Sequence, residues 1–571
     1  MRPGRRSGPE RTRSRGVYKE DRMNDFRKST VYQIYIKSFA DSNGDGIGDL
    51  NGIREKLPYL KDLGIDYIWV TPFFRSPMRD NGYDISDYYS VNPVFGTMED
   101  AVNLIREAGE LGIGMMFDMV FNHSSTEHEW FQRALRGEKR YMDYYIFRDP
   151  VSGGAPCNWQ SKFGGSAWEY VPSLRKYYLH LFDRTQADLN WENPELREEL
   201  QKIILFWKEK GLRGFRFDVV NLISKPEEFP DDEKGDGRRF YTDGRHVHRF
   251  LKELVQKTGI DGMVTVGEMS STSIENCILY TRPSEKELSM CFSFHHLKVD
   301  YKDGNKWALM APDLRELRRL FSEWQEKMQE GGGWNALFWC NHDQPRVLSR
   351  FGDEGKYWKQ SAKMLAIFIH LMRGTPYVYQ GEELGMTNPG YQRIEDYRDV
   401  ESINYYGILR RDGHSREDAL RILAARSRDD SRTPMQWDGG KYSGFSKEEP
   451  WIAVPENHSF INAASEEADE DSILHCYREL ILLRKKLPLI SEGRIHFTDS
   501  GNEKVLSYER SLGEERLLVF GSFSAEEERA EGIPSREEGW ELLIGNYPED
   551  GRKDGKLRPY EAAAFLRKGE S

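Results

Sequence analysis

Four stretches of the chain end an apolar run in side chains that can do chemistry. Asp118, Asn122 and His123 close the first, Arg216 and Asp218 the second, Glu268 the third, and Asn341, His342 and Asp343 the fourth. A lone Asp at the end of a strand is ordinarily a cap or turn former. Four strands that end this way argue instead for one shared pocket. Carboxylates beside a guanidinium suit acid–base work on an acetal, because glycoside hydrolysis needs one ionised carboxylate and one protonated acid. Arg216 precedes Asp218 by two residues, so both project from the same face of a strand. A cation so placed favours the ionised form that a nucleophile needs. Glu268, buried near other acids, is expected to shift towards the protonated form of an acid catalyst. The 72 Phe, Trp and Tyr residues supply sugar-stacking surface as well as core.

The elements that position these groups alternate. IDYIWVT (65–71), IGMMFDMVF (113–121), GFRFDVV (214–220), MVTVGEM (263–269), ALFWCN (336–341) and TPYVYQ (375–380) read as buried strands. Amphipathic helices separate them. Thr97 with Asp100 forms a capping box ahead of Ala101, Leu104, Ile105, Ala108 and Leu111. The stretch 313–328 places Leu314, Leu317, Leu320, Phe321 and Trp324 on one face. Strand–helix repetition over this length predicts parallel strands with crossover helices, closed into a (β/α)8 barrel or doubly wound. No GxGxxG follows the first strand, which weighs against a dinucleotide fold. In a barrel the polar strand ends would converge on one rim. Residues 124–195, rich in Gly, Trp, Tyr and Pro, break the rhythm and read as an inserted loop-rich domain. Short β-like runs after residue 490 (504–511 and 516–524) predict a small C-terminal β-sandwich over 491–571. The barrel would then comprise 23–123 and 196–490.

Composition narrows the function. Among 571 residues, 82 Lys and Arg stand against 94 Asp and Glu, a net charge of −12. That balance argues against a general nucleic-acid binder. MLAIFIHLM (364–372) is the longest nearly unbroken apolar stretch, short of the ~18 residues a bilayer span needs. Five cysteines in no metal-like spacing suggest reduced thiols and a cytoplasmic location. Cys157 and Cys277 could be reactive or simply small buried hydrophobes. Residues 1–22 carry eight basic and three acidic side chains and no apolar signal core. They read as a disordered tail, or as the product of a start codon upstream of Met23.

The ordered motifs DMVFNH (118–123), GFRFDV (214–219), VGEM (266–269) and NHDQPR (341–346) resemble the signature regions of family 13 of the glycoside hydrolases, the α-amylase superfamily. A fifth, QADLNW (186–191), fits its oligo-1,6-glucosidase subfamily. The resemblance runs from Lys28 to the C-terminus and implies a TIM barrel with a domain inserted after strand 3. It further implies Asp218 as nucleophile, Glu268 as acid/base and Asp343 as transition-state stabiliser. By the same resemblance Asp80, Tyr83, His123, Phe163, Arg216, His342 and Arg428 would surround the glucose being transferred. The chain departs from the pattern at Asp430, where Asn is usual. Val219 follows the nucleophile, and in this family Val there accompanies α-1,6 bonds and related substrates. It also reads simply as a β-branched strand residue.

Within the family, GEMSST (267–272), KELSMCFSFHHLKVDY (286–301), GGGWNALFWCNHDQPR (331–346) and QGEELGMTNP (380–389) look like the trehalose-6-phosphate hydrolases. FSFHH stands where oligo-1,6-glucosidases read FQFEH, and lysines follow. A sugar phosphate needs cations in the leaving-group subsite, and an acid there would repel it. His295, His296, Lys298 and Lys302 are the candidates for the phosphate, against the alternative of a solvated loop. The implied reaction is hydrolysis of a disaccharide phosphate by a monomer or homodimer, with an oligo-1,6-glucosidase as the alternative and no organic cofactor. DSNGDGIGD (41–49) sets oxygen donors at Asp41, Asn43, Asp45, the Ile47 carbonyl and Asp49, as in the first nine positions of an EF-hand-like loop. Gly52 at position twelve excludes a complete EF-hand. The expectation is a structural Ca²⁺, or else a set of Asx turns.

Overall fold

The structure is a computed structural model and describes residues 25–535, 539–548 and 555–569. The N-terminal basic tail lies outside these. Eight strands form the centre: β1 (Val31–Ile34), β2 (Tyr67–Val70), β3 (Gly114–Met119), β4 (Gly214–Phe217), β5 (Val264–Met269), β6 (Met290–Ser293), β7 (Ala336–Leu337) and β8 (Thr375–Tyr379). They are hydrogen-bonded in the order β6-β5-β4-β3-β2-β1-β8-β7, and every pairing is parallel. A parallel bridge between Cys291 and Asn335 joins β6 to the segment entering β7 and closes the ring. This is the TIM barrel, not the doubly wound sheet. Buried on both faces, its strands read as nearly continuous apolar runs. Their ends bring the polar groups to one rim.

The helix Met98–Glu110 begins with the expected capping box of Thr97 and Asp100. Asp313 caps the helix Leu314–Glu330, which buries Leu317, Leu320, Phe321, Trp324 and Met328. β7 is shorter than its apolar run suggests, because the chain leaves the ladder after Leu337.

The insertion leaves and rejoins the barrel side by side. His123–Ser125 pairs antiparallel with Gln186–Asp188, in the register His123 to Asp188. That pairing holds the base of the inserted domain against β3. Beyond it, Phe147–Arg148, Lys176–Leu179 and Trp168–Val171 make a small sheet. After the barrel, five antiparallel strands form the C-terminal domain: β9 (Arg494–Thr498), β10 (Val505–Leu512), β11 (Glu515–Ser522), β12 (Glu541–Gly545) and β13 (Ala562–Arg567), in the order β9-β10-β11-β13-β12. The second layer of the expected sandwich is a two-stranded ribbon, Glu528–Arg529 with Lys556–Leu557. The sheet also packs on the barrel, where Tyr508 donates to the Phe368 carbonyl at 2.6 Å. Among the described residues, no helix is long and apolar enough to cross a membrane.

Candidate active site

Register builds the centre of the site. Arg216 on β4 is the direct neighbour of Asp118 on β3. Both side chains enter the barrel, and Arg216 Nη1 lies 2.6 Å from Asp118 Oδ1. The same nitrogen lies 2.6 Å from Asp218 Oδ1, and Nη2 contacts Glu268 Oε2. One fully buried guanidinium thus joins three carboxylates from β3, β4 and β5. It ties Asp218 and Glu268 to one cation, which sets both carboxylates around a single reacting centre. Asp218 is 7% exposed, so the centre is largely dry. The neighbour of Glu268 is therefore a cation, where the sequence suggested other acids. For Glu268 to donate a proton, its carboxyl must leave the guanidinium for the glycosidic oxygen.

His342 and Tyr83 form one wall. Their rings stack at 5.3 Å and 3°. His342 Nε2 is 2.7 Å from the Tyr83 hydroxyl, which donates to Asp118 Oδ2 at 3.0 Å. The Gln33 amide, 2.7 Å from Nδ1, donates there and leaves the ring proton on Nε2. Burial is the main cause that lowers His342 to about 3, so the ring is neutral. His123 Nε2 reaches the Tyr83 carbonyl at 3.1 Å. Gln186 Nε2 lies 3.2 Å from His123 and donates to Asp80 at 3.1 Å.

The third acid is held by arginines. Arg432 donates to Asp343 Oδ1 at 2.6 Å and to the His342 carbonyl at 2.8 Å. Arg428 Nη1 is 3.6 Å from Asp343, and its Nη2 bonds Asp80 at 3.1 Å and Asp399 at 2.5 Å. Burial alone would raise Asp343. Arg428 and Arg432 outweigh it and hold the carboxyl well below the usual range. The Phe163 ring lies 5.0 Å from the Arg428 guanidinium. Six carboxylates (Asp80, Asp118, Asp218, Glu268, Asp343 and Asp399) thus face three guanidiniums (Arg216, Arg428 and Arg432). The excess of acid suits positive charge developing at an anomeric carbon.

The alpha amylase catalytic-domain family matches residues 33–493. The chain belongs to the alpha-amylase family. It is 51% identical to the trehalose-6-phosphate hydrolase of Bacillus subtilis over 95% of this chain and 98% of that protein. Identity to the oligo-1,6-glucosidase of Parageobacillus thermoglucosidasius is 44%, over 95% and 98%. The crystal structure of Bacillus licheniformis trehalose-6-phosphate hydrolase superposes with a TM-score of 0.91 at 50% identity, over 95% of this chain and 100% of that one.

All ten catalytic and sugar-contacting residues expected from the alpha-amylase family motifs gather in this pocket. Sequence reading did not single out Gln33, Trp69, Asp399 or Arg432. Asp399 lies in no motif and also caps the helix Val400–Arg411. Arg432 lies in the SRDDSRTPMQW stretch, four residues past Arg428, and that spacing was a usable signal. Val219 is not a strand residue. It follows β4 with φ 35° and ψ 39°, a left-handed conformation that strains a β-branched side chain.

The phosphate candidates separate. His296 Nε2 bonds the Phe338 carbonyl at 2.8 Å, with its ring against Phe321, Phe338 and Trp339. His295 stacks on Trp324 at 4.8 Å. Both are packed against the helix Leu314–Glu330, and burial lowers each to about 4. Neutral, apolar-packed rings are poor phosphate ligands, so these two are corrected to barrel-wall residues. Lys302 lies on the exposed turn Lys302–Gly304. Lys298 is exposed by surface area yet crowded by protein atoms, and that desolvation first, then Arg238, lowers its pKa. Lys162 is lowered to about 7, by burial and then by Arg238 and Lys298. Lys162 Nζ donates at 2.9 Å to Ser270, which follows β5 two residues after Glu268. Among the described residues neither Lys162 nor Lys298 has a carboxylate ion-pair partner.

The loop 41–49 is a series of Asx turns. Asp41 accepts from the backbone of Asn43, Gly44 and Gly46 at 3.1, 2.7 and 2.8 Å and from Ser446 Oγ at 2.6 Å. Asn43 and Asp45 accept from the amides of Asp45 and Ile47, each at 2.9 Å. Asp49 takes Ser42 and caps the helix Leu50–Glu55 through Gly52 N at 2.7 Å. Among the described residues, no group of three or more His, Cys, Asp or Glu could hold a metal ion. Four of the five donors expected for Ca²⁺, Asp41, Asn43, Asp45 and Asp49, accept backbone amides in these turns. All five cysteines are free and buried, and burial raises the Cys157 and Cys277 thiols, the inert reading of both.

Proposed function

We propose that this chain is a retaining α-glucosidase that hydrolyses trehalose 6-phosphate to glucose and glucose 6-phosphate in a reducing cytoplasm. One observation carries the reading. Lys162 donates to Ser270, two residues past Glu268, and it interacts electrostatically with Arg238 and Lys298 as well as with Asp236 and Asp188. The leaving sugar must lie next to the acid that protonates it, so these cations face the leaving group and not the transferred glucose. A phosphate dianion there meets lysines that, among the described residues, carry no carboxylate ion pair. The two trehalose-6-phosphate hydrolases named above, at 51% and 50% identity, support the same substrate.

In the reaction, Asp218 attacks the anomeric carbon of the unphosphorylated glucose. Glu268 gives its proton to the departing glycosidic oxygen, and glucose 6-phosphate leaves. Glu268 then takes a proton from water, which attacks the glucosyl–Asp218 ester and frees glucose. Arg216 holds the two carboxylates in reach of each other. Asp343, kept ionised by Arg428 and Arg432, faces the charge that develops on the ring.

The test replaces the cations without touching the acids. Lys162→Met and Lys298→Met, singly and together, should lower kcat/KM for trehalose 6-phosphate by about 10-fold each, the effect of one charge-assisted contact worth about 1.5 kcal/mol. A neutral aryl α-glucoside should be hydrolysed at near wild-type rates. Equal losses on both substrates would overturn the phosphate role and favour an oligo-1,6-glucosidase.

A further inference from the structure

Asp430 stands where family resemblance leads one to expect Asn, and the mechanism above makes no use of it. It ends the one-turn helix Arg428–Asp430 and precedes Arg432 by two residues. The same short loop therefore carries both arginines that hold Asp343, and this acid. Asp430 is 0% exposed, and among the described residues neither carboxylate oxygen makes a well-formed hydrogen bond, the Ser427 backbone being a nearby polar group that favours its charge. The groups facing it are Asp429 from its own turn, Lys306 from the segment after β6, and Glu354 from the loop after the helix Val347–Phe351. The phenols of Tyr391 and Tyr397, after β8, complete the set. Lys306 is committed to Glu401 at 2.6 Å, and Asp429 and Glu354 would repel a second charge. Arg428 and Arg432 are engaged with Asp80, Asp343 and Asp399.

An isolated buried carboxylate is costly enough that the group takes up a proton instead. We infer that Asp430 is a neutral carboxylic acid in the working enzyme, a positioning residue that substitutes for Asn and whose ionisation unseats the turn carrying Arg428 and Arg432. Burial first, and then Asp429, push its pKa well above the ordinary carboxylate value. The folded state therefore holds this proton more tightly than the unfolded chain. The resulting stability is fully present below about pH 4 and is lost as pH rises through the folded pKa. Asp430 acts on Asp343 only through the arginines, so the effect should appear in a pH profile more than in the rate at one pH.

Asp430→Asn is neutral at every pH and tests this directly. Thermal unfolding and kcat/KM on a neutral aryl α-glucoside would be followed from pH 5.5 to 9 for both proteins. That substrate keeps the outcome independent of the phosphate subsite. The gap between the variant and wild type should be smallest at pH 5.5. Above that it should melt at progressively higher temperature than wild type, and its alkaline activity limb should move up by a pH unit or more. Asp430→Ala also lacks the titration and should show the same widening gap in melting temperature, whatever its absolute stability. Curves that run parallel to wild type for both variants would overturn the inference, as would a wild-type melting temperature that holds constant to pH 9.

Discussion

Tyr83→Phe removes one oxygen from the middle of the catalytic wall and leaves the ring in place. The hydroxyl donates to Asp118 at 3.0 Å and meets His342 Nε2 at 2.7 Å. Without it, Asp118 loses a hydrogen bond to a charged group, worth about 1.5–3 kcal/mol, and a buried imidazole N–H loses its acceptor at a further 1–3 kcal/mol. Asp118 keeps Arg216 at 2.6 Å and the Trp69 indole at 3.2 Å, so the lower end applies, about 2.5 kcal/mol. If half of that is felt at the transition state, kcat/KM falls about 8-fold, and if all of it is, about 70-fold. The ring stack at 5.3 Å survives, so KM should change less than kcat. The assay is steady-state hydrolysis of an aryl α-glucoside beside thermal unfolding of the same preparation. Activity within twofold of wild type at unchanged melting temperature would refute the claim that this hydroxyl positions His342 and Asp118.

Two further outcomes follow from charge. Asp343 and Asp399 are held well below the usual range, because nearby arginines outweigh burial. Their contribution is present above about pH 4 and lost below it, so acid unfolding should begin there. Asp80 and Glu382 are raised to about 7 by burial. Theirs is present below about pH 4 and declines towards pH 7, so the melting temperature should peak on the acid side of neutrality, and a plateau from pH 5 to 8 would contradict this. Chelation with EGTA tests the loop 41–49, and an unchanged melting temperature is the outcome for Asx turns alone. A drop of several degrees, reversed by Ca²⁺, would restore the calcium site.

Much of the site was legible because strand ends converge in a barrel. Asp118, Arg216, Asp218, Glu268 and His342 each close an apolar run, and parallel register then places Arg216 beside Asp118. The capping box at Thr97 was equally visible, since its two residues lie three apart and need no tertiary context. What escaped depends on distant chain. Lys162 sits in the inserted domain and Arg238 opens the short helix Arg238–Tyr241 after β4, and only the fold brings them to Lys298. His295 and His296 misled for a related reason. Their types suit phosphate, but the aromatic face of the helix Leu314–Glu330 takes them into the barrel wall. Val219 reads as a strand residue by propensity, yet the turn that presents Asp218 holds it at φ 35°. A tertiary demand at the nucleophile overrides the local preference.

The most direct test of the account compares kcat/KM of the purified wild-type enzyme on trehalose 6-phosphate, trehalose and isomaltose under one condition. The cationic group beside Glu268 predicts a preference for trehalose 6-phosphate over trehalose of at least about 100-fold, the yield of two charge-assisted contacts worth about 1.5 kcal/mol each. It also predicts glucose and glucose 6-phosphate in equal amounts. A preference for isomaltose, or equal rates on trehalose with and without phosphate, would contradict it.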